Sequence, residues 1–362
     1  MKRLASIAFA AALAACAAPN AAPVAMAPPA SAIVQRAQRP RFSPANLYVT
    51  NCPSSSFPLR VKCQSVNGSN PNGIAVFPIG SASPANIITD GVNGSGKNTV
   101  AFDATGDMFL AHCGFACQGP FGDLGSLTVY AAGSTSPSQT ITDGVQDPYA
   151  LALDAAGNLY VANVSANRVT EYAAGSHRLI RTILDGIAGP VALAFDRSGN
   201  LYVANSTNVT VYAPGKTKRS RTISKGMNMP YKLLFDAAGN LYVANYFGNS
   251  IGVYNHGQTA LSRKVTKGVY GPYAIALDAG GNLYVANLNN SVNVYAAGKA
   301  SLLRKITQGI CEPLALAFDP SGNLYVANGV CSTVTVYAPG SITPSQVISQ
   351  GLSQPNQLTF GP

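Results

Sequence analysis

The 362-residue chain has no tryptophan, three histidines and fourteen carboxylates, and only 10% of its residues are charged. That scarcity narrows the chemistry it can carry. Only His112, His177 and His256 could serve as imidazole bases, and no Ser-His-Asp set is apparent around them. Six carboxylates (Asp103, Asp154, Asp196, Asp236, Asp278 and Asp319) occupy one repeated turn. Eight remain outside it, of which only Glu171 and Glu312 are glutamates. The apolar run at residues 4–15 is too short to span a bilayer.

That run follows Lys2 and Arg3 and ends in Leu13-Ala14-Ala15-Cys16, which resembles the bacterial lipobox. The expectation is a signal peptide over 1–15, cut before a Cys16 that carries lipid and ties the protein to a membrane of the bacterial cell envelope. Where the source has an outer membrane, Ala17 after the cysteine points there. Residues 17–40 are Ala/Pro-rich and hold too little bulk to form a core, so 16–40 reads as lipidated cysteine and tether.

No linker interrupts 41–362, yet that span is too long for one ordinary core. Repetition resolves the difficulty. The unit Asn-Leu-Tyr-Val-Ala-Asn occurs at 158–163, 200–205, 240–245, 282–287 and 323–328, with looser copies at 46–51 (NLYVTN) and 107–112 (DMFLAH). The tyrosines of the tight copies, at 160, 202, 242, 284 and 325, lie 40 to 42 residues apart. A period near 40 with strand-like content predicts a β-propeller.

Within 273–309, four short runs rich in β-branched and aromatic residues are divided by turn residues and read as strands A to D of one blade. The Asp-x-x-Gly-Asn turn between A and B gives the six repeated aspartates a structural task. Strand D recurs seven times. The tail 357–360 resembles a strand A without a strand B, and 47–50 is a strand B without its strand A. The fold expected is therefore all-β: a seven-bladed propeller of four-stranded blades, closed by a C-terminal strand that joins the N-terminal blade. An open ring would expose an apolar edge.

The copy Gly157-Asn-Leu-Tyr-Val-Ala-Asn-Val-Ser-Ala-Asn-Arg-Val169 resembles the NHL repeat of the NHL and SMP-30-like propellers. In place of the Asp that usually follows the Ala of that motif, six copies have Asn and one has His112. This removes a ring of carboxylates that could hold cations. Neither the Glu, Asn and Asp metal set of gluconolactonase-like propellers nor the Glu-x-His element of streptogramin lyases can be placed. The lack of tryptophan argues against quinone-dependent dehydrogenase propellers, whose blades dock through that residue.

Formal charge is +10. Fifteen Lys and Arg lie between Arg178 and Lys305, many on strand D, against four acids. They could form a basic wall for an anionic surface, or they could protect outer edges, and their adherence to the repeat favours the second. An exported protein is not expected to bind nucleic acid. After Cys16, the six cysteines fall on connections at one face of the disc, predicting Cys52–Cys63, Cys113–Cys117 and Cys311–Cys331 disulfides.

That face, carrying the B–C and D–A connections, is where a ligand is expected. The candidates are Asn51, His112, Asn163, Asn205, Asn245, Asn287 and Asn328 at strand B ends, with Tyr149, Tyr231, Tyr273 and Glu312 on connections. The leading reading is a monomeric, membrane-anchored binding or scaffold lipoprotein for a protein, glycan or small molecule, with no cofactor. The alternative is a lactonase or lyase using a divalent metal ion at the channel mouth.

Overall fold

Strand-forming sequence repeated at this period can bury its apolar faces only against its neighbours. The computed structural model shows the result in residues 45–51, 73–92, 98–112 and 125–362, the residues it describes. The expectations for the signal peptide, Cys16, the tether, Cys52, Cys63, Cys113 and Cys117 lie outside them.

The described residues form seven antiparallel four-stranded sheets and contain no helix. Blade 1 is built from both ends of the described chain: Gln357–Gly361 is its strand A, followed by Asn46–Thr50, Ile74–Pro78 and Asn86–Ile88. Its register runs from Asn46 opposite Gly361 to Thr50 opposite Gln357. Blades 2 to 7 follow in chain order, with innermost strands Thr99–Phe102, Pro148–Leu153, Ala192–Phe195, Pro230–Phe235, Pro272–Leu277 and Pro313–Phe318. Each innermost strand touches the next, and the seventh meets Gln357–Gly361, so the ring closes. The structure is a seven-bladed β-propeller.

Strand B is buried on both faces in every blade, because adjacent blades cover both; Val161, Val203, Val243, Val285 and Val326 have no exposed surface. The repeated aspartates act as turn residues. In blade 3, Oδ1 of Asp154 accepts the amides of Ala156 and Asn158, while Gly157 supplies φ +85°. A second repeated device ties blades together. The buried strand C tyrosines Tyr130, Tyr172, Tyr212, Tyr254, Tyr295 and Tyr337 each donate to a carbonyl in the connection entering their own blade.

The outer strands divide into two kinds. In blades 3 to 6 they are five residues long (Leu179–Ile183, Arg219–Ile223, Leu261–Val265, Leu302–Ile306) and carry the basic residues. In blades 7, 1 and 2 they are three residues long (Gln346–Ile348, Asn86–Ile88, Gln139–Ile141), lack Lys and Arg, and follow Pro344, Pro84 and Pro137. Short strands and proline blunt an edge as charge does, so every blade has one device or the other. Four of the seven basic residues on the longer outer strands are also turned inward. Arg221, Arg263 and Arg304 donate to the hydroxyls of Tyr202, Tyr242 and Tyr284 at 2.7, 3.2 and 2.7 Å. Arg181 pairs at 2.5 Å with Glu171, whose side chain is buried.

Candidate functional site

Strand A of blades 3, 5, 6 and 7 begins with proline, which has no amide to give to the ladder. The register shifts just after it, between Pro148 and Ala150, Pro230 and Lys232, Pro272 and Ala274, and Pro313 and Ala315. The residue left out of the ladder is Tyr149, Tyr231, Tyr273 or Leu314. A bulge re-aims its side chain, and here four bulges aim theirs at one place.

Tyr231 is the hub. Its ring centroid lies 4.9 Å from that of Tyr273, 5.7 Å from Tyr246 and 6.3 Å from Tyr149. The Tyr149 and Tyr231 hydroxyls are 2.6 Å apart, although they belong to blades 3 and 5, with blade 4 between them. Side chains of non-adjacent blades can meet only over the mouth of the ring, so the cluster caps one end of the axis. Leu314, Met229 and Leu288 pack against it, while Phe247 and Tyr270 stand exposed at the rim. Burial raises the pKa of Tyr149 and Tyr231 well above the usual phenol value and pushes Tyr246 up to about 12, so the cluster presents protonated hydroxyls at neutral pH.

The rim is stiff. The residue before each of these prolines is left-handed: Asp147, Met229, Glu312 and, entering blade 1, Gln354 have φ between 47 and 53°, and Gly271 takes the place in blade 6. The amides of Gly271 and Glu312 are held by Asn249 and Asn290 of the preceding B–C turn, at 2.7 and 2.8 Å. Glu312 also accepts the amide of Gly329, and the Cys311–Cys331 disulfide, with Cα atoms 5.8 Å apart, braces the same corner. Burial raises the Glu312 pKa, and its carboxyl in turn raises that of Tyr246.

The asparagine ring is not part of this surface. Asn163, Asn205, Asn245, Asn287 and Asn328 are fully buried and Asn51 nearly so. Each Oδ1 accepts an amide from the connection entering its blade: Gln146, Ala188, Asn228, Tyr270, Cys311 and, for Asn51, Ser353. The Nδ2 side donates inward, in blade 3 to Val161 and Thr170. The ring is thus a set of clamps, and its amides are spent on the fold. His112 follows suit. Its Nε2 lies 2.9 Å from Thr128 Oγ1, the counterpart of Thr170, and 3.1 Å from Ser126 Oγ, and burial lowers its pKa.

The structure therefore brings Tyr149, Tyr231, Tyr273 and Glu312 to one mouth and withdraws His112 and the asparagines beneath it. Tyr246 and Lys232, which the sequence places among the connection residues of the same face, join them at the mouth. Lys232 Nζ lies 5.8 Å from the Tyr231 ring centroid. Among the described residues no three His, Cys, Asp or Glu side chains converge on one point.

No family model and no curated protein matches the sequence. Solved structures do match in fold. A candidate 6-phosphogluconolactonase from Bacteroides fragilis superposes with a TM-score of 0.68 at 15% identity, over 88% of this chain and 98% of that one. A protein of unknown function from Desulfotomaculum acetoxidans gives a TM-score of 0.62 at 15% identity, over 80% of this chain and 95% of that one. At this identity the likeness is one of fold.

Proposed function

We propose that this chain is a cell-envelope lipoprotein, anchored through Cys16, whose propeller binds a ligand at the tyrosine-capped mouth. The motif at 157–169 is the basis for grouping it with NHL-like propellers, and the lipobox is the basis for the anchor. The observation that carries the binding reading is the convergence of four bulge residues from separate blades on one aromatic cluster. A fold that needed only closure has no use for tyrosine there, a residue that the innermost strands carry nowhere else. Rigid aromatic surface with a few hydroxyls suits a sugar ring, a peptide side chain or another small molecule.

The test is a thermal-shift screen of the mature domain against saccharides and short peptides, repeated on Tyr231→Phe and Tyr270→Ala. Phenylalanine is the useful change at Tyr231, since alanine there would open a cavity in a residue only 1% exposed. Stabilising compounds should lose their effect on both variants, and hits indifferent to both would refute the site. Separately, Cys16→Ser should abolish acyl labelling and free the protein from membranes.

A second reading draws on the name of the Bacteroides fragilis neighbour. Glu312, with its pKa raised by burial, is the carboxyl at the mouth best suited to proton transfer in lactone hydrolysis. Turnover of 6-phosphogluconolactone that disappears in Glu312→Gln would establish it.

A further inference from the structure

The seven innermost strands carry one charged side chain between them, Lys232. Strand register sets Lys232 opposite Ala244, and the corresponding residues of the other blades are Ala150, Ala192, Ala274, Ala315, Thr99 and Gln357. Gln357 is consumed by the fold, since its amide exchanges two hydrogen bonds with the Val100 backbone, at 2.8 and 3.0 Å. Four blades thus show that alanine satisfies the backbone at this place. The lysine answers no structural demand that the repeat makes.

It also has no carboxylate partner among the described residues. Among the described residues the only ion pair is Arg181 with Glu171, and no carboxylate contributes to the electrostatics of Lys232. The Tyr231 ring lies beside it, in a cluster that also holds Tyr149, Tyr246 and Tyr273. Burial on the innermost strand lowers its pKa, so the fold holds an ammonium where a charge is disfavoured. A half-buried cation beside an aromatic surface, with no carboxylate partner among the described residues, is an anion receptor.

We infer that Lys232 is the charge-recognising group of the mouth, taking the carboxylate of a small organic acid whose body lies against the Tyr231 and Tyr273 rings. This rests on the mouth-binding reading and names the ligand class for it. A carboxylate restores to Lys232 the partner that the fold withholds. An uncharged ligand of the same shape leaves the ammonium unpaired.

The experiment uses the mature domain and five probes: gluconate, benzoate, the amide counterpart of each acid, and inorganic phosphate as a bare oxyanion. Affinity is measured by calorimetry for the wild type, Lys232→Ala, Tyr231→Phe and Tyr270→Ala. Lys232→Ala installs the residue of four other blades and should fold, melting slightly higher without ligand because a half-buried charge is gone. At least one of the two acids should bind the wild type and lose about tenfold to a hundredfold in Lys232→Ala, its amide binding both weakly. The sign with pH follows from the lowered pKa. Acid binding should fade as pH rises through the folded pKa of Lys232, below that of an ordinary lysine, and Lys232→Ala should show no such fade.

Equal binding of acid and amide that depends on the tyrosines but not on Lys232 would overturn the inference and leave the mouth reading standing. Acid binding that depends on Lys232 and ignores both tyrosine changes would overturn the mouth reading and with it the placement of the acid against the rings. Phosphate matching the acids would reveal a bare charge site and overturn the assignment to organic acids. No binding of either acid at millimolar concentration would also overturn it.

Discussion

Closure of the ring by the C-terminal strand can be tested by weakening that strand without removing it. Leu358 is 7% exposed and lies in one apolar cluster with Leu47, Val49, Ala315 and Tyr325, against which Phe360 also packs. The Phe360 ring stands edge-on to Tyr325, with centroids 5.3 Å apart. Leu358→Ala leaves the backbone ladder in place, so its cost is lost transfer energy plus a cavity, about 2–4 kcal/mol. Phe360→Ala should cost about 2–3 kcal/mol, toward the lower end for an aromatic residue because it is only partly buried. The two share a cluster, so the double variant should fall short of their sum. Deleting 358–362 removes both side chains and also releases five residues of chain entropy, roughly 1–2 kcal/mol each, which offsets much of the lost ladder. Side-chain burial therefore decides the outcome, and against a typical total of about 5–15 kcal/mol the domain should be close to unfolding. Native-state hydrogen exchange is the assay. In a closed ring, protection in blade 4, on the far side of the disc, should fall by the same free energy as in blade 1. Loss confined to blades 1 and 7, with blade 4 unchanged, would refute closure as a source of global stability.

Asn245→Ala removes the bonds to the Asn228 amide and the Val243 carbonyl and leaves both groups buried, so it should cost about 1–3 kcal/mol in chemical denaturation. No change would mean that the clamp is dispensable. Glu312→Gly relieves a left-handed residue with φ 51° at a position where blades 4 and 6 already use Gly189 and Gly271. It should stabilise the domain by about 1 kcal/mol, seen as a higher melting temperature, while removing the mouth carboxylate.

Glu312 illustrates how function and stability can pull apart. Left-handed non-glycine residues persist where the surroundings over-determine them, and the Asn290 clamp and the Cys311–Cys331 bridge do so here. Lys232 is the second such place: its ammonium is held where burial opposes charge, while alanine serves four sister blades.

Much of this protein was legible in its sequence, because a propeller is built from short-range signals repeated. The period of the Tyr-Val-Ala-Asn unit, the Asp-x-x-Gly-Asn turns and the unmatched strands at 47–50 and 357–360 determine the blades, their number and their closure, through local preferences that the chain states repeatedly. The same regularity hid the site. A repeat announces that a position matters without saying whether its side chain faces solvent or a neighbouring backbone, so the asparagine ring stayed a candidate binding rim beside its structural reading. Only the packed structure shows every Oδ1 taken by an amide seventeen residues upstream or, for Asn51, by Ser353 at the far end of the chain. The meeting of Tyr149 with Tyr231 across an intervening blade, and the lack of a carboxylate partner for Lys232 among the described residues, are likewise tertiary decisions. Both depend on how seven bulged and unbulged strands converge on one axis, a distance relation between residues that no local pattern encodes.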